Sequence, residues 1–149
     1  MIYILILIVI ALDQITKYWA INSLQYIGEI PIIQNVFHLT YVENIGAAFG
    51  ILPNQRLFFI IAKLIAVIGL LIFLYKNKEM HSILRIGILF IIAGAVGNLI
   101  DRVRFGYVVD FFDFRIWPVF NIADMSIILG AILVSYIILR YDSIKPKEL

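Results

Sequence analysis

Asn98, Asp101, Asp110, Asn121 and Asp124 lie between and inside two long apolar runs, where polar groups of this kind are costly and usually functional. Asn98 and Asp101 close one run, Asp110 lies in the connection, and Asn121 and Asp124 open the next. Members of each pair are three residues apart and so share a helix face. The connector is short, so the two helix ends must be neighbours and Asp110 can fold back toward Asp124. Two carboxylates brought together in a partly dry site cannot both ionise easily, and one pKa rises. One carboxylate can then act as general base on a water while the other protonates a reacting carbonyl oxygen, the logic of aspartic proteolysis. Asn98, Asp101, Arg102 and Asn121 read as groups that hold this geometry. Asn121 also reads as a helix cap, and Asp101 with Arg102 as an interfacial ion pair. Asp113 and Arg115 read as a solvated loop pair outside the site.

Other chemistries fit the residues less well. With no cysteine, the chain lacks disulfides, thiolate ligands and a cysteine nucleophile. Zinc would find no paired histidines, since His38 and His81 fall in separate segments, and no Gly-x-Ser-x-Gly elbow marks a serine nucleophile. A Mg²⁺ or Ca²⁺ ion held by Asp101, Asp110 and Asp124 is the enzymatic alternative; with Arg102 and Arg104 it would point to chemistry on a lipid phosphate. A small transporter is the non-enzymatic one. Transport sites lie near the bilayer midplane between repeated halves, whereas these acids gather at one end and no repeat is visible.

The elements that must position these residues are membrane helices. The chain has 149 residues, 63% of them hydrophobic and 15% charged, with a mean hydropathy of +1.01. Soluble domains are roughly 45–50% apolar. A span needs about 20 apolar residues, and four are expected at about 2–20, 57–75, 83–101 and 122–140, in a single membrane domain over 1–149. The first has no preceding basic residue and no small-residue cleavage signature, so it reads as a retained helix. Asp13 and Lys17 in it are four apart and can pair on one face. Residues 22–53 contain Gly28, Pro31, Gly46 and Gly50 and do not suit a span; Ile30 to Val42, rich in β-branched and aromatic residues, reads as strands resting on the membrane surface. Ala93, Gly94 and Gly97 give the third span a small face for close packing. Lys63, charged within the second span, is expected to snorkel or face a polar interior.

Scattered basic residues and a net charge of +2 make nucleic acid an improbable partner. The side bearing Lys76, Lys78, Arg85, Arg140, Lys145 and Lys147 is more basic than the side bearing Arg56, Arg102, Arg104 and Arg115. Both termini are therefore expected in the cytoplasm, with the acidic stretch facing outward.

Five segments carry a family resemblance: Asp13-Gln14-Ile15-Thr16-Lys17, Asn44 to Gly50, Gly94 to Arg102, Val109-Asp110-Phe111, and Phe120 to Asp124. Together, in this order, they resemble bacterial lipoprotein signal peptidase, or signal peptidase II, an intramembrane aspartyl peptidase. The resemblance implies four transmembrane helices with a small extracytoplasmic β-cradle, and a flap or surface helix drawn from the Asp101 to Asn121 connector. It implies that Asp110 and Asp124 are the catalytic pair, and that Asp13, Lys17, Asn44, Asn98, Asp101, Arg102 and Asn121 bind substrate or support the site. No metal or cofactor is implied. The expected substrates are prolipoproteins carrying diacylglyceryl-cysteine, cut just before that cysteine at the outer face of the bacterial cytoplasmic membrane, among membrane lipids.

Overall fold

The chain is described from a computed structural model covering residues 3–46 and 55–144, with side chains through 140. Helix α1 begins at Ile4–Trp19, passes through a π-helical turn at Ala20–Leu24 and ends with Gln25–Ile27. It is followed by strands β1 (Glu29–Ile33) and β2 (Phe37–Asn44), then α2 (Arg56–Lys76), α3 (Ser82–Arg104), β3 (Val108–Asp113) and α4 (Ile122–Ile144). Among the described residues, four helices are thus long and apolar enough to cross a membrane. Their outward surfaces carry large apolar side chains, such as Leu7, Ile15, Ile65, Ile72 and Leu139, as a lipid-facing surface requires.

The first helix runs past residue 20, where the sequence reading ended it, as far as Ile27. Gly28, with φ at 86°, then turns the chain into β1. The strands expected between Ile30 and Val42 are present as an antiparallel hairpin, with Glu29 opposite Thr40 and Pro31 opposite His38. Pro31 lacks a donor, and its place on β1, an edge strand, avoids a broken ladder. Ala47 to Gly50, Lys145 and Lys147 lie outside the described residues.

The connector after α3 departs from expectation. Residues 105–121 contain no surface helix; they form β3 and a following loop, so the sheet has three strands in the order β1-β2-β3. The reason is alternation. Val109 and Phe111 pack with Ala20 and Leu24 at the end of α1, while Asp110 alternates to the opposite face. β3 pairs with β2 so that Asn44 faces Val108 and Val42 faces Asp110. Asn44 and Asp110 thereby become diagonal neighbours on one face of the sheet.

Beneath the sheet, Val67, Leu74, Ile88, Leu89, Ile92 and Ala95 form the apolar centre between α2 and α3, with Leu5, Ile6 and Val134 packed around it. Helices α3 and α4 approach closely at Gly87 and Gly130 and again beside the polar residues. A Cβ on Gly94 would lie 2.2 Å from the Ala123 carbonyl oxygen, and one on Gly97 would lie 2.6 Å from Asp13 Oδ2. These two positions admit no side chain, so the small face read in the sequence is a contact surface.

Candidate active site

The polar residues of α1, α3, β3 and α4 meet at one end of the bundle and form two linked groups. The first is centred on Lys17. Its ammonium lies 2.9 Å from Asp13 Oδ2 and 2.9 Å from Asp101 Oδ2, and donates to Asn98 Oδ1 at 2.9 Å. Three donors meet three acceptors, and all four side chains are buried. The remaining capacity of the carboxylates is also used. Asp13 Oδ1 accepts the Ala123 backbone N–H at the start of α4 at 2.9 Å, and Asp101 Oδ2 accepts the Val109 N–H of β3 at 3.1 Å. Gln14 Nε2 donates to Asp101 Oδ1 at 3.0 Å and to the Gly97 carbonyl at 3.2 Å. This group ties three helices and the sheet together.

The second group contains Asp110 and Asp124. Asn44 Nδ2 donates to Asp110 Oδ2 at 2.8 Å and Asn121 Nδ2 donates to Asp110 Oδ1 at 2.6 Å. Asn98 Nδ2 donates to Asp124 Oδ1 at 2.7 Å. Lysine can only donate, so Lys17 must face the Asn98 carbonyl oxygen, which turns the Asn98 amide nitrogen toward Asp124. The closed group thereby orients the second one. Asn121 performs both roles that its sequence position allowed: its Oδ1 accepts the Asp124 backbone N–H at 2.9 Å and caps α4, while its amide nitrogen holds Asp110.

Asp110 is buried, and this burial is the main cause that raises its pKa from the ordinary carboxylate value to about 7. The negative charge of Asp124 pushes in the same direction, opposed by the hydrogen bonds from Asn44 and Asn121 and by Lys17. A carboxyl that keeps its proton near neutrality, beside a second carboxylate, is a usable acid–base pair. Asp124 is half-buried and lines a cavity of about 330 Å³ with Asn44, Asn98, Arg102 and Lys63 on its polar side. Phe59, Trp117, Val119, Phe120, Ile127 and Ile128 supply much of the apolar wall.

Every residue proposed for the site from the sequence is at this end of the molecule, but not in equivalent positions. Asp110, Asp124, Asn44, Asn98 and Asn121 make the second group; Asp13, Lys17 and Asp101 make the first. Arg102 stands apart, donating from Nη2 to the Gly46 carbonyl at 2.6 Å, its guanidinium carbon 4.3 Å from the centroid of the Phe59 ring. The three-carboxylate cation site is not assembled, because Asp101 spends its oxygens on Lys17, Gln14 and Val109. Among the described residues no three His, Asp or Glu side chains converge as cation ligands.

Asp113 also differs from its expected place. It is buried, not solvated, and accepts from Thr40 Oγ1 at 3.0 Å and from the Arg115 N–H at 2.8 Å. Its pairing with Arg115 is present at 3.3 Å, and Arg115 also reaches Glu29 at 2.8 Å and His38. This cluster sits toward the far end of β3, away from Asp110. Gln14 and Gly97 were missed as parts of the site. Gln14 had a signal, as a polar residue inside an apolar span, while the contact of Gly97 with Asp13 has no local signature.

Comparison with known proteins places the chain among a family of membrane enzymes. Residues 5–140 match the family model described as signal peptidase (SPase) II. The lipoprotein signal peptidase of Halothermothrix orenii is 54% identical over 134 residues, covering 89% of this chain and 91% of that protein. That of Clostridioides difficile is 53% identical over 146 residues, covering 96% and 98%. A bacterial membrane enzyme structure solved by the in meso method at 2.3 Å resolution is similar with a TM-score of 0.89 and 38% identity, over 99% of this chain and 93% of that one. Another, at 1.9 Å, has a TM-score of 0.83 and 38% identity, with 92% of each chain covered.

Proposed function

The chain belongs to the signal peptidase II family and is a multi-pass membrane peptidase of lipoprotein processing; from that premise we propose that Asp110 and Asp124 are its catalytic pair. They would cleave diacylglyceryl-modified prolipoproteins just before the lipidated cysteine. The observation that carries the reading is the setting of the two carboxyls. Asp124 on a helix end lines the cavity, and Asp110 on a strand lies buried close enough for the Asp124 charge to act on it; Asn44 and Asn121 hold Asp110, and Asn98 holds Asp124.

In the proposed reaction the pair shares one proton, lodged chiefly on Asp110. Asp124 takes a proton from a water as the water oxygen bonds to the scissile carbonyl carbon, and Asp110 gives its proton to the carbonyl oxygen. A tetrahedral diol results. Return of the proton from Asp124 to the leaving amine, with loss of a diol proton to Asp110, breaks the C–N bond and restores the pair. Asn98, Asn44 and Asn121 keep the carboxyls in register; Lys17 orients the Asn98 amide, while Asp13 and Asp101 tie in the start of α4 and β3. The apolar cavity wall suits acyl chains, which would fix the depth of the lipidated cysteine and so of the bond before it.

The proposed setting is the bacterial cytoplasmic membrane, with both termini in the cytoplasm and the site at the outer face, following the distribution of Lys and Arg. Purified protein incubated with a diacylglyceryl-modified prolipoprotein, with and without chelator, tests the reading. Chelator-insensitive cleavage by the wild type is expected, with Asp110→Asn and Asp124→Asn each folded yet slower by on the order of 10³-fold. Near-normal turnover by either variant would sink the assignment of the pair.

A further inference from the structure

Lys63 is the sole charged residue in the interior of α2, seven residues after Arg56 and therefore roughly 10 Å along the helix from its outer end. An ammonium at that depth needs oxygen partners, because hydrocarbon offers none. Among the described residues no hydrogen bond or ion pair engages it, in contrast to Lys17 with its three acceptors. Its side chain lines the cavity with Asp124, Asn98 and Arg102. The charges near it are mixed, Arg102 and Lys17 against Asp124 and Asp110.

That setting selects a ligand chemistry. An anion would meet Asp124 in the same cavity, and an apolar group would leave the ammonium unsatisfied. A neutral carbonyl oxygen avoids both costs. Ile127 and Ile128, which also line the cavity, lie one turn into α4 beyond Asp124 and offer an apolar surface for lipid chains.

Resting on the proposed peptidase reading, we propose that Lys63 is a substrate-positioning residue whose ammonium donates to a carbonyl oxygen of the bound prolipoprotein. That oxygen belongs either to the ester of the diacylglyceryl group or to the signal-peptide backbone. Lys63 thereby fixes the depth at which the scissile bond meets Asp110 and Asp124 and takes no part in proton transfer.

The test is steady-state cleavage by wild type, Lys63→Met and Lys63→Arg of two substrates, one with ester-linked chains and one with ether-linked alkyl chains of equal length. Methionine replaces the unbranched stem without the ammonium and adds no charge to the span, and monodisperse elution of the purified variant checks its fold. Lys63→Met is expected to raise KM for the ester substrate about tenfold or more with kcat little changed, the size of one charge-assisted hydrogen bond. Lys63→Arg should retain most of the wild-type affinity. If the oxygen is the ester's, the change from ester to ether raises KM for wild type and not for Lys63→Met. If it is the peptide's, Lys63→Met raises KM equally for both substrates. A KM within twofold of wild type for both, or a loss confined to kcat, overturns the proposal while cleavage by the wild type leaves the peptidase reading standing. Absence of cleavage by the wild type would remove that reading and this proposal with it.

Discussion

Lys17 and Lys63 are both cations inside apolar helices, yet the regions around them differ. Around Lys17 every donor has an acceptor, and the buried carboxylates of Asp13 and Asp101 are further tied to backbone N–H groups. Around Lys63 there is a cavity, shared with Arg102 and Asp124. Polar groups that satisfy one another inside a membrane hold structure, and those left facing open space are available to a substrate. Residue type does not separate the two cases; bonding capacity does. Asp110 belongs with the second region, since its two hydrogen bonds do not offset burial beside Asp124.

The comparison can be broken most strongly at Lys17. Lys17→Met leaves Asp13 and Asp101 facing each other without their cation, and removing one partner of a buried pair costs about 3–5 kcal/mol. The expected outcome is a protein that unfolds at clearly lower temperature in detergent and loses activity through misplacement of Asn98. Unchanged thermal stability would show that the Lys17 group is not structural. Gly94→Val attacks the same region through packing. With a Cβ 2.2 Å from the Ala123 carbonyl oxygen, α3 and α4 must separate, and overpacking of this kind costs typically 1–3 kcal/mol. Calorimetry should register the loss, and turnover should fall because Asn98 and Asp124 lie on the two displaced helices.

A pH titration sharpens the second region. The Asp110 pKa is raised from 3.8 to about 7 in the folded protein. Between those values the unfolded chain has released a proton that the folded one keeps, so stability declines as pH rises across this window and levels off above about 7. Cleavage should likewise fall with a one-proton slope as pH rises through about 7, the macroscopic value belonging to the pair. A rate that stays flat to pH 9 contradicts a shared proton. The smallest effect is expected at the Arg115 cluster. Its contact with Glu29 joins two exposed groups, for which about 0–1 kcal/mol is usual, and buried Asp113 keeps its hydrogen bond from Thr40 without it. Arg115→Gln should leave turnover of the proposed substrate within about twofold by the same assay.

Much of this was legible because a bilayer limits what a sequence can do. A span needs an unbroken apolar run, so the second, third and fourth helices stand out in outline, and a polar residue inside such a run is conspicuous. Asn98 and Asp124 were visible for that reason. Asp113 was misplaced because its burial depends on Thr40, 73 residues earlier in the chain. The third strand was hidden because its partner β2 lies on the other side of two whole helices in the sequence, and local pattern carries no sign of that pairing.

By itself the sequence determined the four spans, the strand-forming segment and the set of polar residues that had to find one another, since apolar length and the cost of unpaired charge are local properties. Tertiary structure alone decided the division of labour among those residues. Asp101 turned to Lys17 and Val109, Asn98 turned its amide to Asp124 because Lys17 claims its oxygen, and Asn44 met Asp110 through the register of β2 and β3. It also decided that Lys63 faces a cavity. A span apolar on all sides has no preferred rotation until its neighbours pack against it, so that orientation could come only from the assembled bundle.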